Sequence, residues 1–136
     1  LDSDRIVVRS GPEEIAYLPG AQWSDRLPQL VQARLVQSLE NAHLLAAVSR
    51  TGQGVVGDWS MSGEVRRFEI DVPSGQAVVE ITVKLANSGA GRIVGAMVAR
   101  GAAPGGPGRP EDATAALDAA LAQALAQIVA FVRGRV

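Results

Sequence analysis

The chain has 136 residues, 47% of them hydrophobic and only 4% aromatic, so it is long enough for one domain with a core of small aliphatic side chains. Its 13 basic and 14 acidic residues give a net charge of -1, which excludes a general electrostatic attraction to nucleic acid or to an anionic membrane surface. The absence of cysteine excludes disulfides, thiolate metal ligands and thiol nucleophiles, and leaves the redox compartment open.

The N-terminal part of the chain predicts a β-hairpin followed by a helix. Arg5–Arg9 and Glu14–Leu18 are short strand-forming runs separated by turn residues, and Pro19-Gly20 is expected to end the second strand. Ser24-Asp25 supplies N-cap side chains before Pro28, which a first helical turn tolerates. Apolar residues then recur every three or four positions and predict an amphipathic helix that buries Leu27, Leu30, Val31, Leu35, Leu39 and Ala42.

The middle of the chain predicts further strands. Leu44–Val48 is a candidate short strand, and Ser49–Gly54 after it is expected to be a loop. From Trp59 onward the apolar residues alternate, but their parity changes at Arg66-Arg67. Such a change turns half of a strand outward unless one extra residue is absorbed, so we predict a β-bulge at these two arginines.

The last strands and the second helix follow. Apolar residues alternate between Ala77 and Leu85, and Arg92–Arg100 completes a predicted antiparallel meander. The Pro/Gly-rich segment Gly101–Pro110 is expected to be a loop. Alanine, Asp118 and two glutamines make the C-terminal segment a poor bilayer span, so it is expected to be a core helix. It should bury Leu117, Leu121, Ala124, Leu125, Ile128 and Val132.

These elements predict an α+β fold in a single domain over residues 1–136. The sheet should be largely antiparallel, with about five or six strands in the order β-β-α-β-β-β-β-α, and two helices should pack on one face. The other face presents mostly polar residues, which suits solvent or a polar partner: Glu64, Arg66, Glu80, Thr82 and Lys84.

Three glycine-containing segments can be compared with ligand-binding loops, and each lacks the context that such a loop requires. Gly52–Gly57 matches G-x-G-x-x-G, yet a strand follows where dinucleotide binding requires a helix N-terminus. Gly54–Gly57 matches the G-x-x-G of KH domains without the flanking helices or lysines. Pro104–Pro110 contains no Lys-Ser or Lys-Thr to hold a phosphate. A loop role is favoured for all three segments.

Catalytic candidates are few. His43 is the only histidine, and it follows the first predicted helix, where a cation favours the helix dipole. No nucleophile elbow accompanies it, although a hydrolase that uses His43 stays an open hypothesis. Glu69 and Asp71 share a strand face beside Arg66 and Arg67, which favours salt bridges over acid–base chemistry. The sequence predicts no catalytic, cofactor-binding or metal-binding residues.

Aromatic residues suggest where a partner could bind. Trp23 is expected mainly to pack against the first helix, with interface anchoring as the alternative. The candidate partner-interface residues are Tyr17, Trp23, Arg66 and Arg67.

Several short motifs follow one another across essentially the whole chain and end with the Ala-rich final helix: Tyr17-Leu18, Trp23, Leu27-Pro28, Val48-Ser49-Arg50, Gly63 and Arg66-Arg67-Phe68-Glu69. In this order they resemble the ABC-type transport auxiliary lipoproteins of Gram-negative bacteria. The resemblance implies a non-enzymatic periplasmic domain tethered to the outer membrane by an N-terminal lipidated cysteine. That cysteine and the signal peptide are expected to precede Leu1.

The resemblance also implies partners. They are an ABC permease, its ATPase and a protein with a mammalian-cell-entry (MCE) domain, in a system for lipid transport or outer-membrane barrier maintenance. A homo-oligomer is compatible with it. The alternative hypothesis is a periplasmic carrier that binds a lipid or another small hydrophobic ligand.

Overall fold

The computed structural model describes residues 5–9, 15–22, 27–43, 48–50, 59–87, 92–105 and 110–134. Its elements occur along the chain as β1 (Arg5–Arg9), β2 (Ile15–Gln22), α1 (Leu27–Asn41), β3 (Val48–Arg50), β4 (Trp59–Asp71), β5 (Gln76–Asn87), β6 (Arg92–Pro104) and α2 (Pro110–Arg133). The predicted α+β class, with two helices and an antiparallel three-stranded meander of β4, β5 and β6, is confirmed.

The core lies between this meander and α2. Alternate residues of β5 from Ala77 to Leu85 are at most 2% exposed on the helix side, because a strand points successive side chains to opposite faces. The predicted buried stripe of α2 is confirmed, since all six of its predicted residues are at most 3% exposed. Val31 and Leu39 of α1 join the same core.

The predicted β-bulge at Arg66-Arg67 is confirmed. The ladder between β4 and β5 shifts between Val65, which pairs with Ile81, and Arg67, which pairs with Glu80. The extra residue lets Val65 and Phe68 both face the core, although three positions separate them.

Three loop or strand-end predictions were wrong. β2 extends past Pro19-Gly20 to Gln22, but the β1–β2 ladder is irregular there, since Val7 pairs with Tyr17 and Arg5 with Gln22. An irregular stretch of an edge strand tolerates proline because no required ladder bond is lost. Ser49 and Arg50 belong to β3, which pairs in parallel with β4. Gly101–Pro104 continues β6, also at a sheet edge. Residues 44–47 and 51–54 of the predicted strand and loop lie outside the described residues.

The sheet has the order β2-β1-β4-β5-β6, and β3 pairs with β4 beyond this path. β1 pairs antiparallel with β2, as the predicted hairpin requires, and parallel with β4. This parallel pairing, which the sequence did not predict, places Val7 opposite Glu69 and Arg9 opposite Asp71. It therefore brings Arg9 into the same part of the sheet as the acidic end of β4.

α2 lies directly against the sheet, and α1 packs against α2. By length and hydropathy the segment Asp112–Arg133 would be long and apolar enough to cross a bilayer, contrary to the expectation from its composition. In the structure, its apolar stripe is buried against the strands. Core packing therefore accounts for the apolar character of the helix.

Candidate functional site: the polar face of the sheet

The sheet face opposite α2 is lined by charged and polar side chains, and we call it the polar face. Its residues come from β1, β4, β5 and β6, and they are Arg9, Glu64, Arg66, Arg67, Glu69, Asp71, Glu80, Thr82, Lys84 and Arg100. Cations and carboxylates are interspersed, so the face offers local ion pairing and hydrogen bonding instead of one dominant charge.

A buried carboxylate organises one end of this face. The Glu69 side chain is 2% exposed, and its Oε2 accepts a hydrogen bond from Arg9 Nε and one from Arg67 Nη2 at 3.4 Å. Arg67 also lies 3.7 Å from Asp71 Oδ1. Burying a carboxylate is unfavourable unless it is paired, and the two arginines supply that pairing for Glu69.

Arg9 contributes to this cluster across a parallel ladder. The hydrogen bond from its side chain to Glu69 raises the pKa of Arg9 above its ordinary value, against the lowering effect of burial, and the charges of Glu69 and Asp71 raise it further. The Arg9 carbonyl also accepts a hydrogen bond from the Val72 N–H at 2.8 Å. Side chain and backbone together tie β1 to the end of β4.

Because of the bulge, the two predicted interface arginines, Arg66 and Arg67, lie on the same face of the sheet but have different partners and exposure. Arg67 is held in the Glu69 cluster, with 29% of its side chain exposed. Arg66 is 56% exposed and lies 3.3 Å from Glu64 Oε2, while its Nε donates to Thr82 Oγ1 at 3.3 Å. Since both arginines contact residues of the polar face, this face carries two adjacent cations, one partly buried and one exposed.

The prediction that Glu69 and Asp71 form salt bridges is confirmed for Arg67 but not for Arg66. Arg67 does pair with Glu69 and Asp71, whereas Arg66 pairs with Glu64. Sequence reasoning missed Arg9, because only the parallel pairing of distant segments brings it to Glu69.

The two aromatic candidates come from parts of the sequence before β4, which carries the Glu69 cluster. Tyr17 lies on β2 opposite Val7 of β1, which separates it from β4 by one strand. Trp23 lies outside the described residues, as do the glycine motifs at 52–57. A role for these two aromatics in partner binding therefore stays a prediction.

His43 has a structural role at the end of α1. Its N–H donates to the Glu40 carbonyl at 3.0 Å, and its φ of 60° is the left-handed conformation that often ends helices. The side chain is exposed. Among the described residues, no three His, Asp or Glu side chains form a group that could hold a metal ion.

A groove lies between α1 and α2, away from the polar face. This groove has a volume of about 420 Å³ and an apolar floor formed by Ala122, Leu125, Ala126, Val129 and Ala130 of α2. Its rim carries Arg34, Ser38 and Asn41 of α1 and Arg133 of α2. Arg34 pairs with Asp118 at 2.5 Å, and Arg133 donates to the Ala42 carbonyl at 3.4 Å. An apolar floor with a charged rim suits the binding of an amphiphilic molecule better than it suits catalysis.

Similarity to known proteins supplies the context for these surfaces. The family of ABC-type transport auxiliary lipoprotein components matches residues 1–129. The crystal structure of protein XCC0632 from Xanthomonas campestris covers 96% of this chain and 74% of its own, with a TM-score of 0.83 and 29% identity. A second crystal structure, of an uncharacterised protein, covers 97% of this chain and 83% of its own with a TM-score of 0.77; at 16% identity it supports the fold alone.

A curated relative is also similar. The uncharacterised protein bll6063 of Bradyrhizobium diazoefficiens is 31% identical over 109 residues, which are 79% of this chain and 29% of that protein. The chain thus spans less than a third of this relative's length. The family match extends from the β1–β2 hairpin through most of α2, and so includes every strand of the polar face. By that match, the chain belongs to the family of ABC-type transport auxiliary lipoprotein components.

Proposed function

We propose that this domain is a non-catalytic accessory subunit of an envelope transport system and binds its partners through the polar face. The observation that carries the proposal is the β4 bulge, which places Arg66 and Arg67 side by side on a face that no described helix covers. Arginine is favoured in protein interfaces because its planar guanidinium can donate several hydrogen bonds at once.

The finer assignment follows from the family. The partners we propose are an ABC permease, its ATPase and an MCE-domain protein, and the process is lipid transport or maintenance of the outer-membrane barrier. The domain would act in the periplasm, held at the outer membrane by an N-terminal lipid anchor. Tyr17 and Trp23 would extend the contact beyond the polar face.

Site-specific photo-crosslinking of the full-length lipidated protein in cells tests this proposal. A photoreactive residue in place of Arg66 is expected to form adducts with a transporter component, to be identified by mass spectrometry. The matched control replaces Ala119, which is exposed on α2, away from the polar face. Equal adducts from both positions, or none with a transporter component from position 66, would reject the polar face as the contact surface.

The alternative function is a carrier for a lipid or small hydrophobic ligand, and the groove between α1 and α2 is the observation in its favour. An acyl chain would lie along the alanine-rich floor, with Arg34 and Arg133 near an anionic headgroup. Native mass spectrometry of the purified chain checks this alternative. Co-purified lipid that is lost on changing Ala126 to Glu would support the carrier, and lipid-free protein would count against it.

A further inference from the structure

α2 seals part of the free edge of β6, the last strand of the sheet. Gln127 Oε1 accepts a hydrogen bond from the Arg100 N–H at 2.9 Å, and Gln127 Nε2 donates to the Arg100 carbonyl at 2.7 Å. Gln123 Oε1 accepts from the Ala102 N–H at 3.1 Å. Over Arg100 and Ala102, two glutamine side chains thus replace the next strand.

The same edge is open closer to the start of β6. Every second residue of a strand turns its N–H and C=O to the same side, so Ala96 and Val98 direct theirs as Arg100 does, away from β5. Within the part of the chain that the structure describes, no hydrogen bond occupies these groups on that side. The regular register ends just beyond Ala96, where Val94 is the extra residue in a second irregularity.

The side chains around this open edge have a defined chemistry. Val98 is 57% exposed, the larger value of the two exposed large hydrophobic residues among those described. Lys84 lies opposite Ala96 on β5, and Arg100 follows Val98 on the same face of β6. Neither cation has an ion-pair partner among the described residues. The edge therefore combines free backbone groups, one aliphatic contact and two positive charges, of which Arg100 has Glu80 opposite it on β5.

We propose that the open edge at Ala96 and Val98 binds an extended segment of another protein by β-strand addition. The added strand would run antiparallel to β6, with an aliphatic residue opposite Val98 and acidic residues near Lys84 and Arg100. Backbone hydrogen bonds supply affinity in this mode of recognition, and alternate side chains supply specificity. The proposal concerns the backbone edge of β6 and not the Arg66–Arg67 pair, although Lys84 and Arg100 also belong to the polar face, and it does not depend on the transporter assignment.

Charge favours a different protein over a second copy of this chain. If two β6 strands paired antiparallel about Met97, Ala96 of each would lie opposite Val98 of the other. Val98 and Arg100 of the second copy would then be the side chains nearest to Lys84, so self-pairing would add no carboxylate beside this cation. An acidic strand would instead place a carboxylate near Lys84, which has Ser62 and Ala96 as its neighbours on β4 and β6.

Amide hydrogen exchange of the 136-residue chain, followed by NMR, tests the proposal with a defined probe. The probe is the end-blocked hexapeptide Glu-Thr-Val-Thr-Glu-Thr, whose valine would lie opposite Val98. At millimolar peptide, exchange at Ala96 and Val98 is expected to slow about tenfold, because both N–H groups become hydrogen-bonded. Exchange at Arg100 should not change, since Gln127 already accepts its hydrogen bond.

Two controls separate strand addition from nonspecific binding. The same peptide with an N-methylated valine lacks the donor for the Val98 carbonyl and should give no protection. Val98→Pro removes only an N–H that points away from β5, so the meander should fold while the peptide effect is lost. If the variant does not fold, the N-methylated peptide on the unchanged chain still decides the question.

Three outcomes would overturn the proposal. The first is no protection at saturating peptide, and the second is equal protection by the N-methylated peptide. The third is protection of Ala96 and Val98 that appears without peptide and grows with protein concentration, because it would assign the edge to a second copy of the chain.

Discussion

Glu69 is a buried carboxylate, and one of the two arginines that pair with it is distant in sequence. Sixty positions separate it from Arg9, yet their side chains form an ion pair. The raised pKa of Arg9 fixes the sign of its pH dependence, because a cation whose folded-state pKa is raised stabilises the fold at every pH below its ordinary pKa. That stabilisation is lost only as strong alkali raises the pH through the folded-state pKa. The contribution of Arg9 should therefore be constant across the neutral range.

Replacing Glu69 is expected to destabilise the domain. Glu69→Gln leaves Arg9 and Arg67 without their buried carboxylate, and we expect a loss of about 1–3 kcal/mol in the free energy of unfolding, below the full effect of breaking a buried pair because both arginines are partly exposed. Equilibrium unfolding in urea measures this loss of stability.

Glu64→Gln is the matched control, because its pair with Arg66 is largely exposed. It should change the free energy of unfolding by less than about 0.5 kcal/mol. Similar losses in the two variants would contradict a special role for the buried cluster.

At the scale of elements, the β-bulge in β4 could be predicted from the pattern of apolar residues in that strand alone. The parity change in its apolar residues requires one extra residue, and the register shift occurs between Val65 and Arg67. β2 and β6 show the opposite case. Proline and glycine suggested that both strands end early, but both lie at sheet edges, where those residues are tolerated. Edge position is a property of the sheet and cannot be derived from one strand's sequence.

Deleting Arg66 should remove the bulge while keeping the fold. Val65, Arg67 and Phe68 would then alternate regularly, so every apolar residue of β4 would still face the core. We expect a change of less than about 1 kcal/mol in the free energy of unfolding, together with loss of the register shift by NMR.

Deleting Ser62 is the control for the loss of one residue from the same strand. It turns Met61, which is buried, toward the polar face, and should cost about 2 kcal/mol or more. A loss of this size on deleting Arg66 would show that the bulge itself is required for the fold.

At the scale of the whole molecule, close packing of α2 on the sheet depends on small residues. An ideal Cβ at Gly101 would lie 1.8 Å from the Ala120 carbonyl oxygen, so α2 approaches β6 closely at this position. Ala113, Ala120 and Ala124 of the helix are fully buried. The same approach brings Gln123 and Gln127 to the β6 edge, where they accept hydrogen bonds from the Ala102 and Arg100 N–H groups. Core packing therefore determines which backbone groups of this edge are hydrogen-bonded to α2.

Gly101→Ala should therefore displace α2. Because the obstructing atom is backbone, we expect a loss of about 2 kcal/mol or more in the free energy of unfolding, and faster amide exchange at Arg100 and Ala102. Gly63→Ala is the control, since its Cβ would meet the Thr82 carbonyl oxygen at an ordinary 3.6 Å. Equal stability of the two variants would contradict the close approach.

The sequence by itself determined the α+β class, the buried stripe of α2, the inward residues of β5 and the bulge, because these depend on side-chain periodicity within one segment. Only the tertiary structure decided that β1 pairs in parallel with β4, that Arg9 and Arg67 share Glu69, and that α2 seals only part of the β6 edge. Each of these results joins segments far apart in the chain. No local pattern specifies such contacts, because they depend on how the elements pack together.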